Sequence, residues 1–477
     1  MSLQKQAFSG MVWTFGQQFS SQIISFGISV FLARLLLPSD FGAIAMFSVL
    51  TAIAGSFVDS GMASSLIRSK NIDDTDLSTV FWFNLVVSII LYAIIFIVAP
   101  FVADFYHLAI LKSVIRIYSI TLIIRSFVTV QGVIFIKNLD FKTGFKIQIP
   151  SQIIGGVSGI VLAYNGFGVW SIVYYNIIQT IVSTVQLWLY SQWKPSFIFR
   201  KEKFKEHFNF GYKLTLSGLL NTIFNNIYTI VIGKMFSAVQ LGFYNRADTL
   251  KQLPVTNLSN ALNKVTFPLF SKIKDNDEKL KEVYSRLMKV VVFIITPILS
   301  IMIVLADPLI RFVYTEKWLP AVPYFQVLAV AGILHPIHSY NLNILKVKGR
   351  SDLFLVLEIV KKVMIIIVLI VSLRYGIMGL IWGQVLASFL AFFINTYYTG
   401  KFLKYGPLSQ IVDLFPTLLV CACLTIVFFY FRKFTLINYK DIVQIIVIAC
   451  SYIVLYFGLV SLLKFKEIKY IKELIKR

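Results

Sequence analysis

Three cysteines, four histidines and 22 acidic residues are all that the 477-residue chain offers of the side chains that usually hold metals, staple small folds or act as general acids. Cys421, Cys423 and Cys450 lie late in the chain, within apolar stretches and without metal-ligand spacing, and residues two apart such as Cys421 and Cys423 do not share a helical face. They read as packing or lipid-facing residues, which excludes a disulfide scaffold and a thiolate metal centre. Charge is scarce too: Asp, Glu, Lys and Arg make up 14% of the chain, against about a quarter of a soluble domain. With 57% of residues hydrophobic, a soluble globular protein is excluded. No polar stretch reaches the roughly 50 residues that even a small folded domain needs. A soluble catalytic domain, which membrane transferases using nucleotide sugars carry, is therefore missing, and neither enzymatic activity nor a cofactor is expected.

What the chain has is long apolar runs. FNLVVSIILYAIIFIVAPF at 83–101 shows no alternation of apolar and polar residues, so the spans are helices and not barrel strands. The apolar residues would fill about fourteen spans of roughly 20 residues each. The net charge of +23 would suggest nucleic acid in a soluble protein. Here Lys and Arg concentrate in alternate connections, so the charge reports topology, with both termini in the cytoplasm and no nucleic-acid partner. The stretch after Lys5 carries Gln17, Gln18 and Gln22 and lacks a small-residue cleavage site, so it reads as a retained first span. The tail at 464–477 sets Ile468, Ile471 and Ile475 at helical spacing among six basic residues, a pattern for lying on the anionic membrane lipids of the inner leaflet.

An internal repeat recurs at an offset of about 200 residues. LARLLLPSDFGAIA at 32–45 aligns with IGKMFSAVQLGFYN at 232–245, bringing Arg34 onto Lys234 and Gly42 onto Gly242. A second echo sets Tyr164-Asn-Gly-Phe-Gly168 beside Tyr375-Gly-Ile-Met-Gly379. An offset of six helices gives the halves one orientation, a parallel repeat with a cavity between two bundles. The expected organisation is a six-helix lobe at 1–205, a second at 206–405, two further helices at 406–463 and the tail.

Polar residues inside the spans fall on stripes, because ionisable groups in hydrocarbon must face protein or water. The eighth span carries Arg246, Thr256, Asn257, Asn260 and Lys264, with Pro254 kinking it. The fourth carries Lys112, Arg116, Ser119 and Ser126; the first carries Gln18, Gln22, Ser25 and Ser29, and its repeat partner Ser217, Asn221 and Asn225. Two readings stand for the amides and hydroxyls, interhelical glue or cavity lining. Arg246 and Arg116 have no acidic residue three or four positions away, which favours a cationic, substrate-binding cavity with Lys112 and Lys264. Glu358 with Lys361 and Lys362 is read as a structural ion-pair group. Asp59, an acidic residue near the middle of the first six helices, is the candidate for coupling to H+ or Na+. His335 and His338 are three apart, but no Cys or carboxylate joins them, so no metal site is expected.

Several stretches in order resemble the Wzx-type polysaccharide flippases of bacteria, most closely the colanic-acid-exporter-like branch. They are LARLLLPSDFGAIA at 32–45, FVDSGMASSLIRSKNI at 57–72, GFGVWSIV at 166–173, IGKMFSAVQLGFYNRADTLKQLP at 232–254, FPLFSKIKDNDEKLK at 267–281, and the long run from Glu316 to Lys362. The resemblance covers roughly residues 1–405. It implies the fold of the multidrug/oligosaccharidyl-lipid/polysaccharide exporter superfamily, with two lobes opening alternately. It also implies a substrate, an oligosaccharide repeat unit on undecaprenyl diphosphate, carried across the bacterial inner membrane during exopolysaccharide, capsule or O-antigen synthesis, with a polysaccharide polymerase as a possible partner. Relatives that flip peptidoglycan precursors are similar in requiring arginines in helices 1, 2 and 8, of which this chain matches only Arg246. Rival readings are multidrug efflux on the same fold, which would favour an acidic cavity, and a non-catalytic scaffold of an assembly machine.

Overall fold

The computed structural model describes residues 3–58 and 61–475, with the backbone alone at 3–9, 11–12, 260–265 and 471–475. Every regular element among them is a helix or helical turn. The chain forms two compact units, Met1–Gly242 and Phe243–Arg477.

The first unit holds α1 (Leu3–Leu35), α2 (Pro38–Val58), α3 (Met62–Arg68), α4 (Asp74–Phe105), α5 (Ile110–Tyr118), α6 (Ile120–Ser126), α7 (Thr129–Lys137), α8 (Phe141–Tyr164), α9 (Val169–Tyr190), α10 (Lys201–Asn225), α11 (Ile227–Met235) and the first turn of α12 (Ala238–Lys272). The tightest packing joins α8 to α9 and α1. A Cβ on Gly155 would lie 2.7 Å from the Cβ of Gln179, and one on Gly156 2.1 Å from Ile28 Cδ1, so glycine here is what lets three helices close up. Around Phe81, the rings of Trp82, Phe127, Trp188 and Trp193 meet edge-on.

The second unit holds the rest of α12, then α13 (Asp277–Val304), α14 (Ala306–Tyr314), a 3-10 turn (Glu316–Ala321), α15 (Val322–Val347), α16 (Ser351–Leu373), α17 (Gly376–Leu403), α18 (Pro407–Phe431), a π-turn (Arg432–Leu436), α19 (Asp441–Leu462) and α20 (Lys466–Ile475). Tyr284, Tyr340, Phe392 and Tyr405 share one buried cluster, and Phe293, Cys421, Tyr452 and Tyr456 another. Cys421 thus packs inside, while Cys423 and Cys450 are exposed. The tail helix α20 is held by this second cluster through Phe465 and Ile468, and Arg286 lies 4.5 Å over the Tyr470 ring.

The repeat at an offset of 200 is reproduced residue for residue. Helix α1 ends at Leu35 and α2 begins at Pro38; α11 ends at Met235 and α12 begins at Ala238. At each break the backbone N–H donates to the side chain three residues on, Leu37 to Asp40 Oδ2 at 2.9 Å and Ser237 to Gln240 Oε1 at 3.3 Å. The two helix starts also cross one another reciprocally. A Cβ on Gly42 would sit 1.7 Å from the Ala238 carbonyl oxygen, and one on Gly242 1.9 Å from that of Pro38.

Among the described residues nine helices are long and apolar enough to cross a membrane, or eleven if two bent pairs are each one span. One pair is α10 with α11, bent by 46° where Asn226 turns its side-chain amide onto the Thr222 carbonyl. Asparagine competes with helical hydrogen bonding in this way, so the Asn225-Asn226 pair marks the bend. Helices α1, α12 and α16 also exceed 20 residues but carry the polar and charged stripes noted above; fourteen spans require all three to cross.

Candidate functional site

The cations expected in a cavity divide between two uses. In the first unit Arg116 is half-buried, its Nε donates to the Phe96 carbonyl at 3.1 Å, and its guanidinium lies 4.0 Å over the Phe96 ring. Phe96 is four residues before Pro100, which has no N–H to meet that carbonyl. Arg116 supplies the missing donor. Lys112, one turn earlier, is exposed.

In the second unit Arg246 is half-buried on α12 beside Tyr314 of α14, a residue 1% exposed. Asp248 pairs with Lys251 one turn on. Lys251 is itself buried, packs on Gly332 of α15, and together with Asp248 faces His335. Sequence reasoning missed this Asp248–Lys251–His335 group, although a lysine three residues from an aspartate on a polar stripe was its signal. His338 has both ring nitrogens engaged, Nε2 with Ser388 Oγ at 3.0 Å and Nδ1 with the Asn395 amide at 3.3 Å.

Of the expected cavity amides, Gln22 is half-buried and Gln18, Asn221, Asn225 and Asn257 are exposed. Asn257 folds its amide back onto the Leu253 carbonyl at 2.7 Å. The side chains of Asn260 and Lys264, and all of Asp59, lie outside the described residues. Glue is visible where the first-span stripe meets α8: Ser21 donates to Gln152 Oε1 at 2.6 Å, and the Gln152 amide donates to Ser25 at 3.0 Å. Lys361 pairs with Glu358 at 2.5 Å, the expected internal ion pair, with Lys362 half-buried beside it.

A second polar group in the first unit was not anticipated. His207 of α10 is 1% exposed, with Nδ1 at 2.8 Å from Ser65 Oγ of α3 and Nε2 at 3.1 Å from Asp76 Oδ1 of α4. Lys203, one turn before His207, adds a 3.0 Å ion pair to the same carboxylate. Asp76 also accepts from the Asp73 backbone while Asp73 accepts from the Asp76 backbone, a reciprocal capping box that fixes the start of α4. Ser65, His207 and Asp76 have the atom order of a nucleophilic triad, but all three are at most 3% exposed, so no substrate carbonyl reaches Ser65. What the group does is bind α10 to α3 and α4. Gly61 and Gly211 let the backbones meet there: Gly61 has φ +64°, and a Cβ on it would lie 2.4 Å from the Gly211 oxygen.

Between α17 and α18, Tyr405 donates to Asp413 at 2.6 Å. Burial, and then that carboxylate, push its phenol well up.

A parallel repeat of helices, with polar and cationic faces inside an apolar multi-span chain, defines an all-helical membrane transporter fold. The chain belongs to the polysaccharide biosynthesis protein family, whose sequence profile matches residues 31–323. It is 28% identical over 434 residues to the teichuronic acid biosynthesis protein TuaB of Bacillus subtilis strain 168, covering 90% of this chain and 89% of that one. It is 24% identical to the lipopolysaccharide biosynthesis protein WzxC of Escherichia coli K12, covering 83% and 82%. The fold matches a solved structure of the lipid II flippase MurJ in an inward closed conformation with TM-score 0.77 and 16% identity, over 95% of this chain and 99% of that one. The expected fold class and family are therefore both borne out.

Proposed function

We propose that this protein flips oligosaccharide repeat units on undecaprenyl diphosphate from the inner to the outer leaflet of the bacterial cytoplasmic membrane, with both termini inside. The observation that carries this is the repeat reproduced residue for residue at the α1–α2 and α11–α12 breaks, in a chain of a polysaccharide biosynthesis family. Lobes at 1–205 and 206–405 are part of this reading. A diphosphate-linked glycan cannot enter roughly 30 Å of hydrocarbon unaided, so polar and cationic groups must replace its hydration while the polyprenyl tail stays in lipid. Arg246 is the cation assigned to the diphosphate. Arg116 takes a structural role instead, because its Nε already serves Phe96. Coupling to H+ or Na+ is a further part of the reading, with Asp59 its candidate, and a polysaccharide polymerase a partner.

Deletion tests the reading. Lipid-linked units should accumulate on the inner leaflet while their synthesis continues, read by the accessibility of the glycan to a membrane-impermeant periodate or lectin probe. A mutant lacking completed lipid-linked units would instead make the role synthetic.

A further inference from the structure

Two buried asparagines of the second unit are met to different degrees. Asn341 of α15 and Gln410 of α18 exchange hydrogen bonds at 3.1 and 3.0 Å, and each amide also donates to a backbone carbonyl, that of Ile337 for Asn341 and of Tyr405 for Gln410. Asn395 of α17, also 1% exposed, is met on one side only. Its Nδ2 donates to His338 Nδ1 at 3.3 Å, while its Oδ1 is buried and has no hydrogen-bond partner among the described residues. An unmet carbonyl oxygen in the interior is a standing loss that folds usually avoid.

The imidazole between these groups explains the oxygen. An amide nitrogen can only donate, so His338 Nδ1 accepts, and Nε2–H donates to Ser388 Oγ at 3.0 Å. This is a neutral ring. A half-turn of the Asn395 amide exchanges two atoms of nearly equal size and brings Oδ1 to face Nδ1. A proton that binds the Nδ1 lone pair then forms an N–H for Oδ1 to accept, while Nε2–H still donates to Ser388. Both ring nitrogens stay satisfied, and the oxygen without a partner gains one. Neither change requires the backbone to move.

The surroundings decide how firmly a proton is held. The charged and titratable groups facing the ring are His335, three residues before it on α15, and Lys361 of α16, which is paired with Glu358. Helix α12 brings Asp248 and Lys251, which face His335, and α13 adds Tyr284 beside Tyr340 of α15. The helix α14 and the 3-10 turn precede α15, whose first residue is about four turns from His338. An imidazolium here therefore meets the like charge of Lys361, so the site releases its proton as well as accepting it.

We propose that His338, with Ser388 and Asn395, is a reversible proton-binding site within the second unit, switched between its two charge states by a half-turn of the Asn395 amide. Ionisable groups inside spans are where proton relays are built. The use of the site in coupling rests on the transport reading, and it makes the coupling ion H+ at a second-unit position in addition to the Asp59 candidate of the first.

The test uses the full chain labelled with 15N-histidine in lipid bilayers, and nitrogen NMR of its four imidazoles. The His338 signal is assigned by its loss in His338→Gln, or by elimination of the other three histidines where that variant fails to fold. Titrated from about pH 8 to about pH 4, a range that brackets the ordinary imidazole value, the signal should pass from a neutral tautomer to imidazolium and return. Asn395→Leu removes the acceptor for Nδ1–H and should weaken proton binding about tenfold, moving the transition down by about one pH unit. Asn395→Asp keeps the size, supplies an acceptor in either orientation, and should move the transition up. A His338 ring that stays neutral throughout in protein with an unchanged thermal midpoint would overturn the site, and so would a transition that neither Asn395 variant moves. Either result, alongside inner-leaflet accumulation of lipid-linked units in the deletion strain, would sink the proton site and leave the transport reading standing. A titrating ring in a protein whose deletion abolishes the lipid-linked units would do the reverse.

Discussion

Arg116 Nε donates at 3.1 Å to the carbonyl of Phe96, the oxygen that Pro100, four residues on, cannot meet. The same device recurs in the second unit, where Pro297 leaves the Phe293 carbonyl open and Tyr456 of α19 donates its hydroxyl to it at 2.9 Å. In hydrocarbon an unmet carbonyl has no water to turn to, so a proline within a span calls for a donor from a neighbouring helix.

This relationship gives a double-mutant cycle. Arg116→Ala should destabilise the protein by about 1–2 kcal/mol, the range of a hydrogen bond from a charged donor at a partly exposed site. In a Pro100→Ala background residue 100 regains its N–H, Phe96 is met within the helix, and the same Arg116→Ala change should cost clearly less. The check is the thermal midpoint in detergent for the four proteins. Additive losses would return Arg116 to the cavity, and so would lost export at an unchanged midpoint.

The His207 group leads to an order of losses. Removing Asp76 strands a buried imidazole and an ion-pair partner, so Asp76→Ala should be the worst, by about 3 kcal/mol. His207→Ala should follow, and Lys203→Ala should cost least, since Lys203 is 31% exposed and partly hydrated. Hydrogen exchange at 201–211 should rise in the first two variants. Unchanged exchange there would mean that the glycine contact and apolar packing, and not this group, hold α10.

The two findings mark where the sequence was legible. The offset of 200 was visible because turn geometry is local: a break, a side chain accepting from the backbone three residues earlier, and a glycine four residues after the helix start are all written within twelve residues. Helix existence and the Glu358–Lys361 pair were legible for the same reason. The partners of Arg116 and His207 were not, because they lie 20 and 131 residues away. Arg116 looked unneutralised because only carboxylates were considered, whereas its partner is a backbone oxygen freed by a proline. His207 was hidden in KEKFKEH, a charge run that resembles a solvated connection and is the first two turns of α10.

Gly42 offers a test with an internal control. A methyl group there would fall 1.7 Å from the Ala238 oxygen, backbone that cannot swing aside, whereas one on Gly55 in the same helix meets nothing within 4 Å. Gly42→Ala should therefore abolish most export by holding apart the starts of α2 and α12. Gly55→Ala should keep export and gain roughly 0.5–1 kcal/mol of helix stability. Export and membrane level together decide, and a fully active Gly42→Ala would mean that this crossing is not needed closed.

Arg246 carries the substrate assignment and so receives the most exacting test. It lies beside the buried Tyr314, and the nearest acidic residue in sequence, Asp248, pairs with Lys251. Arg246→Ala should abolish export at a normal membrane level, while Arg246→Lys should retain part of it, since the charge stays and the bidentate fork is lost. Tyr314→Phe keeps the ring and removes only the hydroxyl, so it should lower export less than Arg246→Ala does. Lys361→Ala, remote in role, should give partial loss at most, because Lys362 is a second cation on the same helix turn as Glu358. If Arg246→Ala and Tyr314→Phe instead lower folded protein equally, the pair is a structural tie like Arg116 with Phe96. If Arg246→Ala exports normally, the diphosphate is held elsewhere.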